Sequence, residues 1–363
     1  MNVKKLSSWL PATFAAAALM GSTFANAQEP IKISYVLAVT TLEWTSEIKA
    51  GAEAAVADLD FPVDVKFAGP SNFDPGKQAS IFMNETQTSP DAMIITNVAA
   101  PLFIEPVREA QERGIAVTWT NASPAPDFYE GFFVSADPTQ MGLEAADVLA
   151  KALEEKTGKP AADIEGTMVL GVCVPGLSVL ENRVNGLRSG LEKLMPKVEV
   201  LPTIPTKPDR EGSFAIWNQA MRKNAGALAY VDACEAGNLN IIRIVADDKL
   251  DALSLAFDVP GEVREAVADG TFLAASSSNF FMQGYMAVYA TATALHADKP
   301  LPSGWLKIPA TMVVQSNAGD YNEAWKDMQP GLRAYYDSDI EKAKAAFEDG
   351  DLSPVAEYDN PPN

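Results

Sequence analysis

Histidine is all but missing from this chain: His296 is the one copy in 363 residues. No multi-histidine metal centre can be built from it. Its place near the end of a helical pattern, just before Ala297-Asp298-Lys299-Pro300, suits a solvated imidazole against a helix C-terminus better than a catalytic base. Positive charge is also scarce, with 28 Lys and Arg against 48 Asp and Glu and a formal net charge of −20. Such a surface repels phosphate backbones and anionic lipid headgroups, which excludes nucleic acid and membrane surfaces as expected partners. Cysteine is limited to Cys173 and Cys234, far apart in the second half; a disulfide between them and two buried thiols are both open. There is no G-x-S-x-G elbow, no H-E-x-x-H helix and no G-x-G-x-x-G turn after a first strand. The nearest approach to a phosphate loop, residues 69–77, has the wrong glycine spacing and continues into Gln78. No catalytic constellation, metal site or cofactor is therefore expected.

Long apolar runs are confined to the beginning. Lys4 and Lys5 form a basic start, residues 9–20 an apolar core, and Ala25-Asn26-Ala27 a small-x-small cleavage site, so residues 1–27 are expected to be an export signal. No cysteine follows to accept lipid, and no later apolar stretch is long enough to span a bilayer. The expected product is a soluble exported protein of the periplasm.

What remains is rich in core-forming material. Hydrophobic residues make up 47% of the chain, enough for two globular units. Residues 31–56 pass from a β-rich apolar run through Thr40-Thr41-Leu42-Glu43-Trp44 into a helical pattern. Short strands then alternate with helices: strands at 63–67, 91–95, 115–119 and 131–135, and helices at 75–88 and 102–113. Asp137-Pro138 opens a second round as an N-cap followed by proline at the first helical position. The same rhythm repeats through strands at 167–174, 198–201, 227–231, 252–257 and 272–275, with helices near 178–194, 209–224, 236–247 and 260–268. The spacing predicts an α/β fold of two similar doubly wound parallel-sheet lobes. Residues 28–136 with 280–310 would form the first lobe. Residues 137–279 with 311–363 would form the second lobe and a tail whose end, from Tyr358, is frayed. Residues 305–314 are expected to be one extended stretch.

In open parallel sheets ligands gather at the carboxyl ends of strands. Thr41, Glu43, Trp44, Asn121, Asp232, Phe257 and Asp258 stand at or just beyond such ends. Each also has a structural explanation, since Trp119 beside them suits a core, Asn121 a turn, and Asp232 or Asp258 a helix cap. Aromatic faces such as Trp44 and Phe257 match the C–H faces of a sugar or polyol, and Asp, Asn and Arg pair with its hydroxyls.

With the Trp44 loop, Arg183-Val184-Asn185-Gly186, Ala256-Phe257-Asp258 and residues 279–284 in this order, the chain resembles a periplasmic sugar-binding protein of the ribose-binding type. These are the substrate-binding components of ABC importers, related in fold to the effector domains of lac-type repressors. The resemblance spans about residues 31–314. It implies that Arg183 binds sugar hydroxyls, that Phe257 and Asp258 supply a face and an acceptor, and that Asn279 takes a place where the family often has glutamine. Asp137 matches a polar residue at the first crossing, as a cap or as a ligand contact. The expected site is thus Thr41, Glu43, Trp44, Trp119, Asn121, Asp137, Arg183, Asp232, Phe257, Asp258 and Asn279.

Departures from the pattern bear on the ligand. The Asn-Pro-Phe-Phe loop of ribose binders is here Leu42-Glu43-Trp44-Thr45, and the Asp-Arg pair after the fourth strand becomes Asn121-Ala122. D-ribose is therefore disfavoured. Glu43, Asp232 and Asp258 against Arg183 disfavour an anionic ligand, leaving a neutral sugar, a sugar alcohol or an amine-bearing sugar. The resemblance implies a monomeric carrier for a permease, hinged near residues 135–136, 278–279 and 310–311. A sensory subunit for a chemoreceptor or sensor kinase is the alternative. Glu43 and Asp258 as paired glycosidase carboxylates are a weaker rival, because the family gives them a non-catalytic role.

Overall fold

The computed structural model describes Met1 and residues 29–360; the expected export signal, Met1 apart, lies outside the described residues. The first half is a run of βα units: β1 (Ile31–Val36), α1 (Glu43–Asp58), β2 (Val63–Ala68), α2 (Pro75–Thr86), β3 (Ala92–Asn97), α3 (Ile104–Glu112), β4 (Ala116–Asn121) and β5 (Phe132–Ala136). The second repeats the plan with α4 (Pro138–Thr157), β6 (Gly166–Val172), α5 (Ser178–Leu194), β7 (Val198–Val200), β8 (Ile204–Pro205), α6 (Arg210–Lys223) and β9 (Ala229–Asp232). It continues through α7 (Glu235–Asp248), β10 (Leu253–Phe257), α8 (Gly261–Ala268) and β11 (Ala274–Ser277). The chain then crosses back through α9 (Phe280–His296) and β12 (Gly304–Ile308), and returns in β13 (Thr311–Val314) before the tail helices α10 (Ala318–Lys326), α11 (Met328–Tyr335), α12 (Asp337–Asp349) and α13 (Ala356–Asp359).

Two sheets result. The first has the order β12-β5-β4-β3-β1-β2, and the second β13-β11-β10-β9-β6-β7 with β8 beside β6. Apart from the antiparallel β11–β13 pair, the ladders between these strands are parallel. Both sheets are buried by helices, which is why β3 and β10 are nearly continuous apolar runs. The stretch 305–314 is two strands, not one, because Pro309-Ala310 carries the chain from the first sheet to the second.

Glycine decides how closely the helices meet. A Cβ on Gly284 of α9 would lie 2.1 Å from the Ile48 carbonyl oxygen of α1, and one on Gly186 of α5 would lie 2.2 Å from the Thr139 carbonyl oxygen of α4. Each lobe thus contains a pair of helices in backbone contact, one contributed from across the crossing. Gly186, the glycine of the R-x-x-G motif, is needed for this contact, and the packing sets the height of Arg183 one turn earlier.

Two tail features differ from expectation. Helices α11 and α12 lie on α1, α9 and β12, against the first sheet rather than the second. Up to residue 360 the end is docked, not frayed, residues 361–363 lying outside the described residues: Tyr358 is 1% exposed and meets the rings of Phe133 and Trp305 edge-on. Its hydroxyl donates to the Asn121 carbonyl at 2.9 Å, and its own carbonyl accepts from Asn182 Nδ2 at 2.6 Å. An apolar ring with a polar tip outweighs the acidic, proline-rich composition around it. His296 ends α9 as expected, exposed, with its ring stacked on Phe61 at 3.8 Å.

Candidate functional site

The carboxyl ends of both sheets face a cleft of about 710 Å³, the size of a small-ligand site. From the first lobe come the β1–α1 loop with Thr41, Glu43 and Trp44, the Ser71-Asn72-Phe73 loop after β2, and Asn121 at the end of β4. From the second come Arg183, Cys173 and Cys234, Glu235, Asp258, and the Asp209–Arg210 corner.

Arg183 is the centre of the polar wall. It is 1% exposed, and its guanidinium grips Asp258 with two hydrogen bonds of 2.8 and 3.2 Å. It also donates to the Ala233 carbonyl at 2.8 Å and to Ser278 Oγ at 2.6 Å. Phe257 lies 5.3 Å beneath it. A planar cation fixed by two partners and an aromatic face loses little entropy when it also meets a ligand. Asp258 adopts φ +69°, which turns its carboxylate from the strand end toward the arginine and the cleft.

Asn121 is held in the same strained region at φ +73°. Its side chain donates to the Asn97 carbonyl at 2.8 Å, its N–H to Gln283 Oε1 at 3.1 Å, and its carbonyl accepts from Ser135 Oγ at 2.7 Å. So many partners are what keep a non-glycine residue there. Opposite, Trp44 packs on Phe280 with centroids 5.0 Å apart, giving a two-ring apolar wall. Thr41 Oγ1 donates to the Ser71 carbonyl at 2.9 Å, tying two loops of the first lobe.

Glu43 reaches across the mouth. Its Oε2 accepts from the Gly261 N–H at 2.9 Å and from Arg264 at 3.4 Å, joining the first lobe to the N-terminus of α8 in the second. A carboxylate at a helix N-terminus is favourably placed. It thus bridges the two lobes across the mouth of the cleft.

Five expected site residues stand elsewhere. Trp119 is 1% exposed among Phe103 and Phe128, a core ring that does not line the cleft. Asp137 caps α4 by accepting from the Gln140 N–H at 3.1 Å. Phe257 is fully buried and acts as the platform under Arg183 rather than as a ligand face. Asn279 donates to the Pro309 carbonyl and accepts from Tyr336 at 2.7 Å, so it ties two interlobe crossings together.

Asp232 is the fifth. It is fully buried, accepting from Trp217 Nε1 at 2.6 Å, Thr206 Oγ1 at 3.0 Å and the Cys234 N–H at 3.0 Å. Burial pushes its carboxyl up to about 6 against those three donors. A Cβ on Gly237 would fall 1.7 Å from its Oδ2, so the carboxylate occupies the space a larger residue would fill. It braces the loop leading to Cys234. That cysteine forms a disulfide with Cys173, Cα to Cα 6.0 Å, stapling the loops after β6 and β9 at the cleft wall.

Sequence reasoning missed Phe73, Glu235, Phe280 and the Arg210–Glu262 pair. Glu235 could have been found, because it opens α7 just past Ala233 and Cys234 at the end of β9 and the strand-end rule covers it. Phe280 and Arg210 could not, since only the packing of helices turns them to the cleft.

A two-lobed α/β protein whose facing strand ends enclose a polar and aromatic cleft, crossed by a closing contact, is a ligand-binding protein of the hinged type. The chain belongs to the periplasmic binding protein family: the profile of the periplasmic binding protein domain matches residues 33–299. No curated protein matches it in sequence. Among solved structures it is similar to an ABC transporter periplasmic solute-binding protein from Actinobacillus succinogenes 130z with bound D-allose (TM-score 0.71, 17% identity, 81% of this chain and 100% of that one). It is also similar to a carbohydrate transporter solute-binding protein from Agrobacterium radiobacter in complex with D-arabinose (TM-score 0.70, 23% identity, 81% and 98%). A third, from Agrobacterium vitis with bound α-D-tagatopyranose, gives a TM-score of 0.69 at 22% identity over 80% and 96%. At such identities the likeness is one of fold.

Proposed function

We propose that the chain captures a sugar or sugar alcohol in the cleft between its lobes and delivers it, as a periplasmic monomer, to the permease of an ABC importer. The observation that carries this reading is the Arg183–Asp258 pair facing the Trp44–Phe280 wall across the cleft. A fixed donor–acceptor pair orients vicinal hydroxyls, and the two aromatic rings cover the apolar face of the same sugar. Closure buries both, so a ligand with misplaced hydroxyls would leave a charged group unpaired. The carbohydrate ligands of the similar solved structures support the class.

Catalysis is not part of the role. Asp258 is engaged with Arg183, and Glu43 with Gly261 and Arg264, so neither is poised as the acid or base of a hydrolytic pair. Calorimetry against a panel of pentoses, hexoses, alditols and their amino derivatives tests the reading. At least one member should bind, and Trp44→Ala should weaken it by about three- to tenfold, the worth of an aromatic contact. Asp258→Asn should weaken it further. A panel without any binder, or equal affinity in both variants, would sink it.

A further inference from the structure

Carboxylates dominate the cleft: Glu43, Asp209, Glu235, Asp258 and Glu262 line it, against Arg183 and Arg210. Four of the five are matched. Glu43 takes Gly261 and Arg264, Asp209 caps α6 through the Gly212 N–H at 2.7 Å, Asp258 takes Arg183, and Glu262 takes Arg210 at 2.7 and 2.8 Å. Glu235 accepts no hydrogen bond from any described residue, and its Oε2 is shut off from solvent.

A second, independent group points the same way. Beside the cleft, between Trp44, Glu235 and Phe280, runs a recess too narrow for a water molecule, and Glu47 lines its inner side. Glu47 is 1% exposed and its Oε1 has no partner. Burial pushes both carboxyls up to about 8, Glu235 further by the neighbouring charges of Asp258 and Glu43, and Glu47 by that of Asp258. Arg210 and Arg264, the cations that face them, are already bound to Glu262 and Glu43. Water cannot enter the recess to solvate Glu47, both carboxyls hold their protons near neutral pH, and a neutral ligand that closed the cleft would still leave Glu235 Oε2 without a partner.

We propose that the ligand of this cleft carries a cationic amine, seated on Glu235 against the faces of Trp44 and Phe280. The class is an amino sugar or amino polyol, and the proposal rests on the sugar-capture reading above. An ammonium supplies hydrogen-bond donors to Glu235 and a positive charge that favours its carboxylate, the carboxyl proton passing to solvent through the cleft. Aromatic faces add cation–π attraction in the same place. The hydroxyls of the same molecule fall to Arg183 and Asp258.

Matched pairs test it by calorimetry at pH 7: D-glucosamine with D-glucose, D-galactosamine with D-galactose, and glucamine with sorbitol, with putrescine as an amine without hydroxyls. The amine member of at least one pair should bind about tenfold or more tighter, the worth of one charge-assisted hydrogen bond. Glu235→Gln should collapse that ratio to near one, and Glu235→Ala serves the same purpose if the glutamine variant does not fold. Neutral members that bind as tightly as their amines, or a ratio that survives both variants, would overturn the amine seat and leave sugar capture standing. Binding of putrescine alone would uphold the cation seat and remove the sugar. Silence from all seven compounds would remove both.

Discussion

Glu47 offers the most direct test of the electrostatics behind the cleft. It sits on α1, fully enclosed, with the Phe281 backbone N–H as donor to its carboxylate and the charges of Asp258 and Arg264 acting in opposite directions. Burial dominates and lifts its carboxyl from 4.5 to about 8. Because the folded value lies above the unfolded one, the folded state binds a proton that the unfolded chain releases. The associated stability is fully present below pH 4.5, and it is lost as pH rises toward about 8. At about 1.4 kcal/mol per unit, the span from pH 5 to pH 8 is worth about 3 kcal/mol. Glu47→Gln keeps the shape and removes the titration. Urea unfolding of ligand-free protein at pH 5, 6, 7 and 8, without reductant, should show the parent losing about 3 kcal/mol more than the variant across that range. Parallel profiles for the two proteins would refute the reasoning, because they would mean that Glu47 is ionised in the folded state at no cost.

Two further outcomes follow from the packing. Reducing the Cys173–Cys234 bond, or replacing both residues with serine, frees a loop of 61 residues in the unfolded chain and should lower stability by about 4 kcal/mol, read from the urea midpoint; an unchanged midpoint would show that the bond constrains nothing. Gly284→Ala places a methyl group 2.1 Å from the Ile48 carbonyl, and prising α9 from α1 should cost about 1–3 kcal/mol in the same assay, where a neutral result would mean that the two backbones have room to separate.

The rhythm of strands and helices was legible because it is local. Alternating apolar runs, proline after an N-cap and glycine after a helix act over a few residues, and α5 and the two sheets of parallel strands stand where those signals put them. The family resemblance located Arg183 at the cleft, and the strand-end rule likewise located Trp44, Asn121 and Asp258 there. It failed where a side chain has a choice of direction. Asp232 and Phe257 end neighbouring strands, yet one turns to Trp217 and Thr206, and the other slides beneath Arg183.

Sequence by itself determined that this is an acidic, doubly repeated α/β chain. Only the tertiary structure decided which polar groups are spent on holding the fold and which are left for a ligand. Asp137, Asp232 and Asn279 look as available in sequence as Asp258 and Glu235. Their partners lie up to tens of residues away, and whether a carboxylate is satisfied or left waiting depends on what folding brings within about 3 Å of it.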